Sequence, residues 1–285
     1  MQKGYFKAAW NDIKQSEGWL GKMFLLGLLS FIPIFGQVVL FGYAYGWLRD
    51  IAWGVETPLP PRIFGNEDGQ LYRRGLIVFV INTVFCLIAP GVVEGVFSVM
   101  AGRGLDTVSG AVFGGTGHVL SGNISGLFSL LILVIASLFY LVAAARASIY
   151  GRLGPGFQLS RLWAMMRHDT KGLVRVVCVG VALTVCMGAI FGVFSLGMGV
   201  VVAALTALGV WGSGGMASAL AVMLFALAAM LVCLVALVVL SAASAFITIM
   251  TVRAMGYWVQ QFDVPAWRGQ DDPMPFEMAS GQAQR

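Results

Sequence analysis

Glu94 is the only carboxylate beside an uncharged stretch long enough to cross a bilayer, and it lies about 20 residues beyond Arg74, at the far boundary of that stretch. An acid there can hold a cation or polar solute, or it can be a solvated helix end. Asn82 and Gln37 are the other polar groups at depth, where a side-chain amide hydrogen-bonds a neighbouring helix or contacts a solute. Glu94 and Asn82 therefore form the candidate polar site. Gly114-Gly-Thr-Gly117, ahead of His118, has the glycines of a phosphate cradle without the Lys and Ser or Thr that complete one, and no strand leads into it. Cys86, Cys178, Cys186 and Cys233 lie in apolar segments without ligand spacing, where a thiol is a small hydrophobe. Asn123-Ile-Ser125 fits a glycosylation acceptor, a pattern too short to carry weight. No nucleophile, base and orienting group converge. No catalytic residue, cofactor or metal site is expected, and the chain reads as non-enzymatic.

The elements that carry these residues belong to a membrane protein. Hydrophobic residues make up 59% of the 285, charged residues only 11%, and the mean hydropathy is +0.85, a composition that a soluble fold could not bury. Leu76 to Val93, Leu127 to Ala145 and the interval from Arg175 to Arg253 each approach or exceed the roughly 20 residues that cross hydrocarbon. Asp12 and Glu17 among the first lysines argue against a cleavable signal.

The charges give an orientation. Of the 18 Lys and Arg residues, all but Arg103 fall at the ends of these stretches on a single side, so both termini are expected in the cytoplasm. The uncharged run from Met23 to Leu48 carries Pro33 and Gly36 at its middle and is read as a short hairpin with arms of roughly 15 residues, about 22 Å each. A single crossing there would put Arg49, Arg62, Arg73 and Arg74 outside. A second pair runs from about Gly75 to Val93 and from about Gly126 to Tyr150, and a third covers Gly172 to Trp258, which is long enough for two spans or four. The fold expected is all-α, about six membrane helices in three hairpins. Residues 1–265 form one integral membrane domain, and 266–285 are read as a disordered cytoplasmic tail. Gly188, Gly192, Ser195 and Gly199 put small residues on one helix face, with close packing inside the chain as the expected use.

Two motifs recur. Arg49, Gly54 and Pro58 match Arg146, Gly151 and Pro155 position for position, with Trp53 and Tyr150 before the glycines; Arg253, Tyr257, Trp258 and Pro265 are a looser copy. These are helix stops, with a cation at the C-terminus, a glycine for a left-handed cap and a proline that prevents continuation. Amphipathic segments also precede two membrane segments: Phe6, Trp10 and Ile13 opposite Lys7, Asn11 and Lys14, and Leu159, Leu162, Trp163 and Met166 opposite Arg161, Arg167 and His168. Both read as interfacial helices. Lys7, Trp10, Lys14, Arg49, Arg146, Arg161, Trp163, Arg167 and Arg253 are the expected contacts with membrane lipid. The net charge of +5 is spread over boundaries rather than gathered in a soluble patch, which points to anionic headgroups on the cytoplasmic side and not to nucleic acid.

Trp19-Leu-Gly-Lys-Met-Phe-Leu-Leu-Gly27, Leu29-Ser-Phe-Ile-Pro-Ile34, Phe41-Gly-Tyr43, Leu48-Arg49, Leu59-Pro60 and Asp68-Gly69 before Arg74-Gly75-Leu76 resemble an uncharacterised prokaryotic membrane family, domain of unknown function number 4013. Val264-Pro-Ala-Trp267 is similar to a second copy of the family's Leu-Pro-acid-Trp element, whose acidic and Trp positions are absent from Leu59-Pro60-Pro61-Arg62. The resemblance implies a multi-span protein of a bacterial or archaeal plasma membrane and brings no catalytic residues. The function expected is a scaffold, membrane-organising or accessory subunit with a protein partner or a second copy. A transporter component for an apolar or zwitterionic solute is the alternative.

Overall fold

The structure, a computed structural model, describes residues 4–64, 69–88, 90–92, 124–207, 216–272 and 274–282. Glu94, Arg103, the 114–118 segment, Asn123 and residues 211–215 lie outside them. Among the described residues every regular element is helical: α1 (Tyr5–Lys14), α2 (Trp19–Leu29), α3 (Phe35–Ala52), α4 (Leu71–Asn82) extended by a π-helical turn (Thr83–Ile88), α5 (Ile124–Tyr150), α6 (Leu159–His168), α7 (Thr170–Ala207), α8 (Met216–Gln260) and α9 (Pro275–Gln282). Leu71–Val92, Thr170–Val200 and Met223–Gln260 are long and apolar enough to cross a bilayer, and Trp19–Leu29 and Val134–Tyr150 are shorter apolar helices.

The core surrounds α3, whose residues from Val38 to Leu48 are all buried. Its apolar residues face every direction, so it is enclosed by α2, α4, α5 and α8 rather than by lipid. Glycine makes the closest approach possible. A side chain at Gly75 of α4 would collide with the Val38 carbonyl, and one at Gly42 with that of Leu71. The two backbones pack directly against each other, as small residues allow between membrane helices.

The repeated stop forms as its residues demand. Gly54 has φ +82° and Gly151 φ +64°. The Val55 N–H donates to the Asp50 carbonyl at 2.9 Å and the Gly54 N–H to that of Ile51 at 2.9 Å, the paired bonds of a Schellman cap. After α5 the Arg152 N–H makes the corresponding bond to Ala147 at 3.3 Å. The first hairpin is also present, with unequal arms: α2 has 11 residues and α3 has 18. Its turn centres on Ile34, at φ 64° and ψ −59°, with the Phe35 N–H bonded to the Pro33 carbonyl at 2.7 Å. This is the rare, strained form of the γ-turn, carried by a β-branched residue and not by the neighbouring Gly36.

The starts of α2, α4 and α7 and the ends of α3, α5 and α8 lie at one end of the bundle, together with α1, α6 and α9. Lys22 reaches the Leu59 carbonyl, Gly151 faces Gln70, and the Trp258 indole donates to the Asp169 carbonyl at 3.3 Å. Toward the other end α7 and α8 emerge from the core as an exposed apolar pair. Beyond its own helical turn, no atom of the described residues lies within 4 Å of where a side chain at Gly188, Gly192 or Gly199 would begin, so packing of that small-residue face inside the chain does not occur among the described residues.

The tail departs from expectation. The segment from Ala266 to Glu277, apart from residue 273, packs onto the bundle: Trp267 stacks on Tyr150, Met274 is buried, and Phe276 of α9 lies 4.6 Å from His168, ring centre to ring centre. A few large side chains in a polar segment suffice to anchor it.

Candidate interfacial site

Arg253 sits two turns before the end of α8 and is 0% exposed. Its Nε donates to Asp12 Oδ2 at 2.8 Å and its Nη2 approaches the same oxygen at 2.8 Å. Nη1 donates to the Trp47 carbonyl at 2.9 Å and Nη2 to that of Thr57 at 3.2 Å, while the guanidinium stacks over the Trp47 ring at 4.1 Å. The Tyr257 hydroxyl donates to Asp12 Oδ2 at 2.7 Å. One buried cation thereby joins α1, α3, α8 and the 53–60 loop, with its charge balanced and each of its three nitrogens bonded. The loop is held further along by Leu59 N–H to Ser16 Oγ at 2.7 Å and by Tyr43 Oη–H to the Pro60 carbonyl at 3.0 Å.

Arg146 is also buried, at 1% exposure. Its Nη2 donates to the Gln270 carbonyl at 2.7 Å and its guanidinium lies 5.7 Å from the centre of the Tyr150 ring. Arg161 of α6 donates to the Asp271 carbonyl at 3.0 Å and pairs with Glu277 at 2.6 Å. Gln158 Nε2 bonds Asp271 Oδ1 at 2.7 Å. Together these side chains clamp the tail between the end of α5 and α6. The lipid contacts expected of Arg146 and Arg253 are thus corrected: both guanidiniums are turned inward, Arg253 onto Asp12 and two carbonyls and Arg146 onto the Gln270 carbonyl, with its Nε and Nη1 left without a hydrogen-bond partner among the described residues. Arg161 is half-buried in an ion pair.

The other expected contacts lie at the periphery. Lys7, Lys14 and Arg167 are exposed, and Arg49 is half-buried. Trp10 is half-buried and meets Trp19 and Phe246 edge-on, each at 5.7 Å between ring centres. It cements α1 to α2 and α8. Trp163 is 57% exposed and stacks on Phe139 at 6.4 Å. The inward faces of the two amphipathic helices are Tyr5, Ala9 and Ile13 on α1 and Leu162, Met165 and Met166 on α6. Burial pushes the Tyr5 phenol up, and the Asp169 carboxylate adds to the effect. Asp169 Oδ1 in turn caps α7 by accepting the Gly172 N–H at 3.0 Å.

Within the apolar layer Asn82 and Tyr45 both approach the Tyr140 hydroxyl, although Tyr45 Oη closes no hydrogen bond of good geometry. Asn82 is thus brought to a neighbouring helix, while Glu94, its expected companion, lies outside the described residues. Beside this cluster the π-helical turn carries Phe85 into an open apolar groove of about 660 Å³, walled by Phe139, Ile135, Leu159 and Trp163. Neither the tyrosine pair nor the π-turn has a sequence signal, because both depend on the registration of α3, α4 and α5. Among the described residues no three His, Cys, Asp or Glu side chains come close enough to hold a metal ion.

The model of a protein family of unknown function, DUF4013, matches residues 25–202, which is most of the membrane bundle and well beyond the first-hairpin motifs. The chain belongs to the DUF4013 family. No curated protein and no solved structure matches it. In this DUF4013 chain the matched region includes Arg49, Arg146 and α6, whereas Asp12 and Arg253 lie outside it.

Proposed function

We propose that this protein is a multi-pass plasma-membrane scaffold or accessory subunit, non-enzymatic, with six crossings and both termini in the cytoplasm. The observation that carries the reading is the state of the α7–α8 pair. Among the described residues, only 11% of the most apolar stretch of α7, and none of that of α8, is buried inside the chain. Tight ties hold the basic end, while the apolar pair keeps the open small-residue face of Gly188 and Gly192. Such a face lets another helix approach closely in lipid. On this reading the partner is a second copy or another membrane protein, and exposed Lys7, Lys14 and Arg167 meet anionic headgroups.

Site-specific crosslinking in native membranes tests it. With the four native cysteines replaced by alanine and a membrane-permeant oxidant added to take up the two electrons, Gly192→Cys should yield a disulfide-linked species of defined mass. Gly180→Cys, which faces Thr251 inside the chain, should not. A chain that stays monomeric under both would sink the scaffold.

A transporter for an apolar or zwitterionic solute is the second reading, favoured by the groove at Phe85. Native mass spectrometry of gently extracted protein separates the two. A monomer retaining one small non-lipid molecule speaks for transport, and a defined oligomer speaks for the scaffold.

A further inference from the structure

Where α1 turns into α2, the loop after Pro60 folds back and leaves a recess of about 440 Å³. Its cationic wall is Lys22 and Arg62, its apolar wall Leu25 and Phe64, and its floor the side-chain-free backbone of Gly18 and Gly21. We infer that this recess binds the phosphate headgroup of an anionic glycerophospholipid.

Four observations converge. Lys22 Nζ donates to the Leu59 carbonyl at a long 3.4 Å, which leaves ammonium N–H groups for a stronger acceptor. Arg62 is exposed beside it and offers a planar fork suited to phosphate oxygens. The first turn of α2, 11 residues long, has no side-chain cap, so its amide N–H groups and positive dipole end add to the same field. Finally, a side chain at Gly18 or Gly21 would meet nothing within 4 Å. The space is open.

The apolar half selects a lipid over free phosphate. Leu25, 43% exposed, continues along α2 into Phe24 and Leu28, at 48% and 37%, a track along which an acyl chain can lie once the headgroup is seated. Inorganic phosphate would gain nothing from it. Charge refines the class: among the described residues at the recess, Lys22 and Arg62 contribute two positive charges, and Glu17, whose field reaches Lys22, offsets one. A headgroup with one net negative charge, such as phosphoglycerol, matches the remainder. The inference rests on the reading that this end of the bundle lies at headgroup level.

The test uses the full chain reconstituted with equal amounts of phosphatidylglycerol and phosphatidylcholine, with retained lipids counted by native mass spectrometry. Wild type should retain one phosphatidylglycerol. Lys22→Gln/Arg62→Gln should lower its occupancy roughly ten- to thirtyfold, the effect of removing two cations near an anionic surface. Gly21→Leu keeps both cations, fills the recess and favours the helix, and should lose the lipid equally. Arg73→Gln, an exposed cation elsewhere, should change nothing. Equal retention by all variants would overturn the inference, as would equal retention of phosphatidylcholine, or displacement by glycerol phosphate as readily as by short-chain phosphatidylglycerol. Flotation of every variant with the vesicles separates the two failures. Chains that float but do not discriminate refute the lipid site alone, whereas a wild type that does not float refutes the membrane reading beneath it.

Discussion

Arg253 and Asp12 stand 241 residues apart in sequence, and both Nε and Nη2 of the arginine meet one carboxylate oxygen at 2.8 Å. The arginine is wholly buried, whereas the Asp12 side chain retains 20% exposure. Removing the carboxylate charge leaves the guanidinium without its counterion in the core, while removing the arginine leaves an acid that water can partly reach. Asp12→Asn should therefore destabilise by about 2–3 kcal/mol, below the usual loss for a fully buried pair because Asp12 is partly solvated. A thermal unfolding midpoint in detergent checks this. In Asp12→Asn/Arg253→Met the second change should add little, and strictly additive losses would mean that the two residues are not coupled.

The tail offers an independent measurement. Arg161→Gln removes both the ion pair to Glu277 and the bond to the Asp271 carbonyl, yet the Arg146 bond to Gln270 remains. The pair is about one-quarter exposed, which limits its worth to about 1 kcal/mol. Amide exchange in α9 should accelerate roughly fivefold, and exchange in α3 should not change. Faster exchange throughout the bundle would instead place Arg161 in the general stability of the fold.

These two clusters mark where the sequence could be read and where it could not. Helical periodicity disclosed α1 and α6, and Gly54 and Gly151 disclosed the caps, because each depends on neighbours within a turn or two. The inward turn of Arg146 and Arg253 had no such signal. A boundary arginine that faces lipid and one that faces protein share the same local pattern, and the partner that decides, Asp12, lies in a different helix. Composition reads the tail as disordered, yet Trp267, Met274 and Phe276, too few to shift an average, dock a short helix. Of the polar site, Asn82 was visible as an amide at depth, whereas Tyr45 and Tyr140 join it only through the packing of three helices.

Two sets of glycines should respond oppositely to enlargement. Gly75→Val drives a side chain into the Val38 carbonyl, a backbone atom that cannot turn aside, and α3 and α4 must separate. A loss of about 3 kcal/mol is expected, at the upper end for overpacking. Gly188→Val meets no atom of the described residues within 4 Å beyond its own helical turn and should leave the thermal midpoint of the monomer within about 1 °C. Comparable losses at both positions would contradict the open face on α7.

The cysteines distinguish a lipid-facing surface from a water-lined one. Cys186 is exposed on α7, 11 residues beyond Arg175, or about 16 Å at helical rise, close to the middle of a hydrocarbon layer of roughly 30 Å. Thiolates attack maleimides, but a thiolate does not form in hydrocarbon, and a charged maleimide does not enter it. In intact membranes Cys186 should remain unlabelled by such a reagent, while Lys7→Cys, exposed on α1, is labelled from the side that the proposed topology makes cytoplasmic. Denaturing detergent should make both reactive. Peptide mass spectrometry reads each site separately, so the other three thiols do not interfere. Rapid labelling of Cys186 in intact membranes, with Lys7→Cys as the reference, would mean that water reaches the α7 face, and the transporter reading would then displace the scaffold.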